Sequence, residues 1–426
     1  MRAYLTILRL PGALAFCAAG LLARAGGAMV GIGIVLMIQS LYGSYGLAGA
    51  VSAVNSAGWA IGAAYIANLV DRHGQRRIML PAAIVSTVML ALLVAAATLH
   101  APAWVLFVPG ALSGLTAGSA GGMVRARWNH LLDDPHQLHA AFSLESTLDE
   151  LTFIVGPVAA TALATGVFPA SGLLVACVTG IVGAFVFYSL RASEPPAHPV
   201  VKPPVAPTTT VPQPTARLRR IKNAATSTAA SVTSRLLLAQ PGFAPVVAVT
   251  MTMGMAFGSI DVTVVAANEA WGMKWAAGPV LAAISLGSAV AGFAYGARRW
   301  ATSLATRYLV GVIAFGLGAS TFLFATSPVM LGVCGFLAGL AIAPSFINAN
   351  SLVQQLVAEE RLTEGLAWVG TAIGIGISVG SSVAGHMIDV FGYHAGFLTL
   401  NVVALGGITL VATSTRAIRR RAAEVS

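Results

Sequence analysis

Five ionisable side chains fall inside long apolar runs of this 426-residue chain: Arg24, Glu145, Asp149, Glu150 and Asp261. If those runs cross a membrane, each charge near the centre costs about 2.5–3.5 kcal/mol even on the gentler insertion scale, so each needs a partner or a task. Glu145 and Asp149 are four residues apart and share one face of a helix, whereas Glu150 is turned about 100° from Asp149, so the three cannot all face one narrow cavity. A buried arginine beside several acids suits two kinds of chemistry: a neutral ion pair, or a carboxyl group that takes up and releases a proton during a cycle. The expectation is that Arg24 pairs with Asp149 or Glu150 and that one of these carboxylates carries a proton. Two competing readings stand beside it. Glu145 lies close enough to the end of its run to snorkel or cap at the interface, and the Arg24 pair could be purely structural.

The elements that hold these residues follow from composition. Hydrophobic residues make up 57% of the chain and charged residues only 9%. Soluble domains carry about 25% charged residues, so lipid rather than water must be the main solvent. A hydrocarbon core of about 30 Å needs roughly 20 apolar residues of helix. Twelve runs meet that length. Six precede the middle of the chain: 11–39, 45–70, 78–99, 103–128, 141–165 and 168–190. Six follow it: 243–268, 276–297, 308–326, 328–356, 365–390 and 395–415. The first run is too long for the core of a signal peptide and reads as a retained helix. Asp134-Pro135 is a suitable start for the fifth helix, with the aspartate as cap and proline in the first turn. Trp59, Trp128, Trp271, Trp275 and Trp300 read as anchors at the membrane interface, and His386 and Asp389 as interfacial groups near the outer face.

Charge placement orients these spans. One set of loops collects Arg72, Arg76, Arg77, Arg125, Arg127, Arg298, Arg299, Arg307, Arg361, the Arg416–Arg421 cluster and the long middle segment; the other set is almost free of basic residues. The net charge of +10 therefore reflects the positive-inside rule and not a nucleic-acid partner, and both termini are expected in the cytoplasm, with the protein in a cell (inner) membrane. Arginine outnumbers lysine 21 to 3, in keeping with a GC-rich bacterial genome.

Eight prolines between Ala192 and Pro214 exclude a packed helix there. The basic residues Arg217, Arg219, Arg220, Lys222 and Arg235 follow, suited to anionic headgroups. Residues 192–235 therefore read as a cytoplasmic linker between two six-helix bundles, 1–191 and 236–426. Both bundles have a glycine-rich fourth helix, with Gly110, Gly114 and Gly118 in one and Gly332, Gly335 and Gly339 in the other. Small residues at this spacing let helices approach closely in lipid, and two similar six-helix halves are the parallel-repeat pattern of several transporter folds.

The loop after the second run reads Leu69-Val70-Asp71-Arg72-His73-Gly74-Gln75-Arg76-Arg77-Ile78-Met79-Leu80. It resembles the signature loop of the major facilitator superfamily, Gly-x-Leu-Ala-Asp-Arg-x-Gly-Arg-Arg-x-x-Leu, with Ala67 in place of the first glycine and Gln75 in place of an arginine. The resemblance implies an all-α fold of twelve transmembrane helices. It also implies that Asp71, Arg72, Gly74, Arg76 and Arg77 form a conformational latch, joining the halves by charge pairs in the outward-facing state. Arg125, at the end of the fourth helix, is available to compensate Asp71. In the family the first, fourth, seventh and tenth helices line a central cavity, which would put Arg24 and Asp261 on it from opposite halves. Gly156-Pro157 is similar to an element in the fifth helix of drug–proton antiporters, though Ala159 and Ala160 replace the glycines that follow. Export of a small molecule by proton antiport is accordingly expected, with uptake as the alternative. The transporter is expected to act as a monomer, with membrane lipids, its substrate and protons as its partners.

Other classes fit less well. No GxxxxGK[ST] loop is present, so direct use of ATP is not supported. A membrane-embedded enzyme would gather histidines and acids, or a nucleophile and base, at one interface; His130, His136 and His139 share a loop without such partners. Cys17, Cys177 and Cys334 lie singly in apolar runs, unsuited to a disulfide framework or a zinc site. Neither a cofactor nor a metal is expected. A transporter-like sensor, binding without flux, is the remaining rival.

Overall fold

The computed structural model describes residues 6–196, 242–296, 300–357 and 362–425; residues 197–235 of the expected linker, Arg298, Arg299 and Arg361 fall outside these, as does the side chain of Glu150. Twelve helical spans are long and apolar enough to cross a membrane, six before the linker and six after it. The first three are α1 (Ala13–Tyr42), α2 (Tyr45–His73) and α3 (Gln75–Thr98). The fourth is made of two helices, α4 (Ala103–Ala117) and α5 (Ala120–Leu131). Helices α6 (Pro135–Gly166) and α7 (Ser171–Ser189) complete the first half. The second half runs α8 (Phe243–Ala270), α9 (Ala277–Gly296) and α10 (Leu304–Ser320). Its fourth span is also divided, into α11 (Pro328–Gly339) and α12 (Ile342–Leu356), before α13 (Leu362–Phe391) and α14 (Tyr393–Val425).

Local sequence sets these ends. Ser44, Ser119, Ser303 and Ser327 each accept a backbone N–H of the following turn, satisfying a donor that the helix start leaves free. The fifth span begins at Pro135, as expected from Asp134-Pro135. The twelfth helix runs on through the Arg416–Arg421 cluster to Val425, beyond the expected end at Thr415.

The fourth and tenth runs, expected to be continuous, are each broken near mid-span. In the first half Gly118 takes φ 63°, a left-handed conformation that glycine adopts without penalty, and Ser119 caps a new helix. The freed carbonyl of Gly118 accepts the indole N–H of Trp59 at 3.0 Å, so the break is satisfied by a side chain, as backbone away from water requires. In the second half Pro344 has no N–H to give the carbonyl of Leu340, and the break falls at Leu340–Ala341. The same fold position thus bends by different local chemistry in the two halves.

Packing repeats with the same regularity. α1 packs on α7 as α8 packs on α14; α2 on the fourth span as α9 on the tenth; α3 on α7 as α10 on α14. The halves meet through α2 against α13 and α6 against α9, which are equivalent pairs under exchange of the two halves. Two of the close approaches use the expected glycines. A Cβ on Gly114 would lie 1.9 Å from the Asn55 carbonyl oxygen, and one on Gly339 would lie 2.2 Å from that of Ile284. These two contacts are counterparts, the fourth span seated on the second and the tenth on the eighth.

Candidate functional site

The charged cluster is built where α1, α5 and α6 meet. Arg24, about 17 Å along α1 at 1.5 Å per residue, turns its guanidinium toward α6. Its Nη2 donates to Glu145 Oε2 at 2.6 Å and its Nη1 to Asp149 Oδ1 at 2.7 Å. One fork therefore spans two carboxylates one helical turn apart, which is what the shared face of Glu145 and Asp149 allows. Nε of Arg24 donates to the Gly20 carbonyl at 3.1 Å, fixing the side chain along its own helix. From α5, Arg125 Nη2 reaches the other oxygen of Asp149, Oδ2, at 2.6 Å.

The two acids sit in different surroundings. Glu145 has no exposed surface, and its Oε1 accepts the Trp128 indole N–H at 2.9 Å and the Cys17 thiol at 3.0 Å. Phe16 packs edge-on against Trp128 with ring centroids 4.8 Å apart, closing the site from the apolar side. The Asp149 side chain is 27% exposed and that of Arg125 is 35% exposed. The cluster is therefore neutral, two arginines to two carboxylates, with a dry end at Glu145 and a wet end at Asp149 and Arg125.

Several sequence expectations change at this point. Arg24 does pair with Asp149, and it takes Glu145, which was not expected, as a second partner. Glu145 neither snorkels nor caps: Trp128, Cys17 and Arg24 enclose it. Trp128 is no interface anchor; it is fully buried and bonded to Glu145. Arg125, expected to compensate Asp71, pairs with Asp149. Asp261 is partly exposed on α8 and has no hydrogen bond or ion pair among the described residues, and it does not join the cluster. Glu150 lies on α6, with its side chain outside the described residues.

The signature loop is arranged differently from a set of charge pairs. Asp71, Arg72 and Arg77 are exposed, and none of them forms an ion pair among the described residues. Gly74 makes the turn at φ 92°, and the backbone N–H of Arg76 donates to Glu194 at 2.9 Å. Gln75, the departure from the family pattern, is buried. Its amide donates to the Met123 carbonyl at 3.1 Å and its oxygen accepts Arg127 Nε at 3.0 Å. Arg127 has no exposed surface; it also donates to the Leu190 carbonyl at 2.9 Å and Ser193 Oγ at 2.8 Å, and stacks 3.8 Å over Phe187. A glutamine at position 75 thus supplies a neutral acceptor for a buried arginine, which a second cation there could not.

A polar seam that sequence reasoning missed joins the two halves at the end opposite the termini. Asp389, at the end of α13, accepts Ser44 Oγ at 2.6 Å and the backbone N–H groups of Tyr45 and Gly46 at 2.7 Å each. A carboxylate there meets the favourable end of the α2 dipole. Tyr45 donates its hydroxyl to Glu269, and Lys274 bonds Gln39, Ser40 and Glu269. Deeper in, Ser378 and Ser381 of α13 donate to the carbonyls of Ala53 and Gly49. Hydrogen bonds tie the halves together at this end, while the more exposed side of the Arg24 cluster lies in the half of the spans nearer the termini.

The model of one protein family, described as Major Facilitator Superfamily, matches residues 16–308 and 304–424. The chain belongs to the Major Facilitator Superfamily. No curated relative matches it in sequence. Solved structures of transporters share its fold at low identity. The nucleoside transporter NupG is 13% identical with a TM-score of 0.70, covering 96% of this chain and 99% of its own. The peptide transporter POT, in complex with sulfate, is 12% identical with a TM-score of 0.70, covering 96% of this chain and 94% of its own. At such identity the likeness establishes the twelve-helix transporter fold and nothing about cargo.

Proposed function

We propose that this member of the superfamily exports a small molecule by alternating access, driven by exchange of a proton at Asp149. In this reading residues 1–191 and 236–426 are the two moving bodies, residues 192–235 tether them, and both termini lie in the cytoplasm. The observation that carries it is the sharing of Asp149 between Arg24 and Arg125 at the only wet edge of an otherwise sealed, neutral cluster. While Asp149 is ionised, a cationic or hydrogen-bond-donating group of the cargo competes with Arg125 for its Oδ2. Protonation at that oxygen removes the acceptor and releases the cargo. Loss of the proton restores the carboxylate, so proton and cargo occupy the site alternately, as exchange requires. Glu145, enclosed by Trp128 and Cys17, holds Arg24 in place; it is a positioning residue.

In the same reading the Asp389–Glu269–Lys274 seam is the outer gate, closed here. The exposed Asp71, Arg72 and Arg77, with the half-buried Arg76, form the inner latch, which engages when the outer gate opens. Asp261, partly exposed and without a partner, is placed to meet cargo from the second half. Export over uptake rests on Gly156-Pro157: Gly156 seats α6 against Ala28, where a Cβ would lie 2.8 Å from that side chain, and the Pro157 carbonyl faces Gly278 of α9. The element therefore lies where the halves meet.

The test uses proteoliposomes holding a trapped pH dye, challenged with panels of organic cations, anions, nucleosides and short peptides. An active compound moves protons in the wild type and not in Asp149→Asn, while Glu150→Gln couples normally. Equal proton movement in wild type and Asp149→Asn for every active compound would rule the reading out.

A further inference from the structure

A groove on the outer face of the second half, between α9, α10 and the broken tenth span, has the features of a lipid site. Its volume is about 420 Å³, and it runs from Trp300 and Arg307 at the end nearer the termini to Leu337 and Pro344 near mid-span. At its polar end Trp300 stacks on Tyr295, with ring centroids 4.6 Å apart. Arg307 is held beside that stack: Nη1 donates to the Tyr295 hydroxyl at 3.1 Å, and the hydroxyl donates in turn to Asn348 at 2.7 Å. Nε of Arg307 is buried without a hydrogen-bond partner, and Arg307 forms no ion pair among the described residues. The guanidinium thus keeps donor capacity that no acceptor among the described residues uses, and a cation with no counter-charge beside it suits an anionic headgroup. No acidic residue lines the groove, and Thr302 and Thr306 are among its lining residues.

Beyond Arg307 the walls are apolar. Val310 is 60% exposed and Leu337 52% exposed, side chains that in a membrane-spanning helix face acyl chains. From Arg307 to Ala314 the helix rises about 10 Å, enough wall for the upper part of one acyl chain. A cationic head at the interface, an aromatic pair beside it and an apolar channel toward mid-depth match an amphiphile with an anionic head.

We infer that this groove binds an anionic phospholipid, its phosphate on Arg307 and one acyl chain along Val310, Ala314 and Leu337. A zwitterionic lipid brings its own cation to a site already positive and is the poorer occupant. The inference requires only that the chain spans a membrane; it does not depend on the proton cycle at Asp149.

Purified full-length protein in detergent, titrated with phosphatidylglycerol or phosphatidylcholine of matched chains, gives the test by native mass spectrometry. The wild type should retain one phosphatidylglycerol with about fivefold preference, the ratio that one basic side chain near a charged headgroup confers. Arg307→Gln should reduce that ratio to about one, whereas Arg307→Lys keeps most of it. Leu337→Trp, which fills the apolar channel, should weaken both lipids together. Inorganic phosphate, carrying the charge without chains, should compete only at far higher concentration. An undiminished preference in Arg307→Gln, or displacement by equimolar inorganic phosphate, overturns the assignment. Should Arg307→Gln fail to accumulate, Leu337→Trp decides alone: weakened phosphatidylglycerol binding supports the site, and unchanged binding refutes it.

Discussion

Replacing Glu145 by glutamine separates the structural from the exchanging half of the charged cluster. Glutamine keeps the shape and one oxygen to accept the Trp128 indole N–H, so the change removes charge with little loss of packing. Removing one partner of a buried pair typically costs about 3–5 kcal/mol, because the other charge is left uncompensated. Arg24 retains Asp149 at 2.7 Å, but Asp149 is already shared with Arg125 at 2.6 Å, so two cations then face one carboxylate. We therefore expect a loss of about 3 kcal/mol, the low end of that range. Asp149→Asn acts at a position 27% exposed, where water screens the change, and about 1–2 kcal/mol is expected. Equilibrium unfolding in mixed micelles, with an Arg24→Gln, Glu145→Gln cycle to isolate the pair, measures both. The order of stability should be wild type, then Asp149→Asn, then Glu145→Gln, while the order of lost proton coupling is led by Asp149→Asn. Equal stability of the two variants, or a Glu145→Gln loss below about 1 kcal/mol, would refute the division into a sealed and an exchanging carboxylate.

Other outcomes follow from the same geometry. Asp389→Ala removes three hydrogen bonds that close the halves; a net loss of about 1–2 kcal/mol shifts the outward-open population some 5- to 30-fold, read by outer-side labelling of a cysteine introduced at Ala53. Gly114→Ala places a methyl carbon 1.9 Å from the Asn55 carbonyl oxygen and should abolish stable expression, whereas Gly27→Ala, which meets nothing within 4 Å, should be neutral in the same thermal-stability assay. Arg127→Lys keeps the charge but cannot reach Gln75, Leu190 and Ser193 together, and should lower stability by about 2 kcal/mol in a thermal melt.

Much of the architecture was legible because lipid imposes one simple rule, that a span is a long apolar helix, and run length reports it. The same rule hid the breaks in the fourth and tenth spans. Hydropathy averaged over a run does not register a two-residue interruption such as Gly118-Ser119, and nothing marks Pro344 as a break and not a tolerated kink. Arg24 was visible as a charge in an apolar run, and the spacing of Glu145 and Asp149 put both on one face. That Glu145 is the drier of the two was not visible, since its enclosure comes from Trp128 and Cys17 on other helices. Arg125 was assigned to the nearer loop residue, Asp71, by position, but the path of α5 after the Gly118 break carries it to Asp149. The outer seam was illegible for a related reason: Asp389 and Tyr45 are 344 positions apart, and only the docking of α13 on α2 joins them.

Isotope-edited infrared spectroscopy of the protein, labelled at aspartate and taken from alkaline to acid pH, tests the central claim without needing the cargo. The account predicts a carboxyl C=O band that rises on acidification in the wild type and is lost in Asp149→Asn, with the corresponding glutamate band silent. A titrating aspartate band that survives in Asp149→Asn, or one that tracks Glu145, would contradict it.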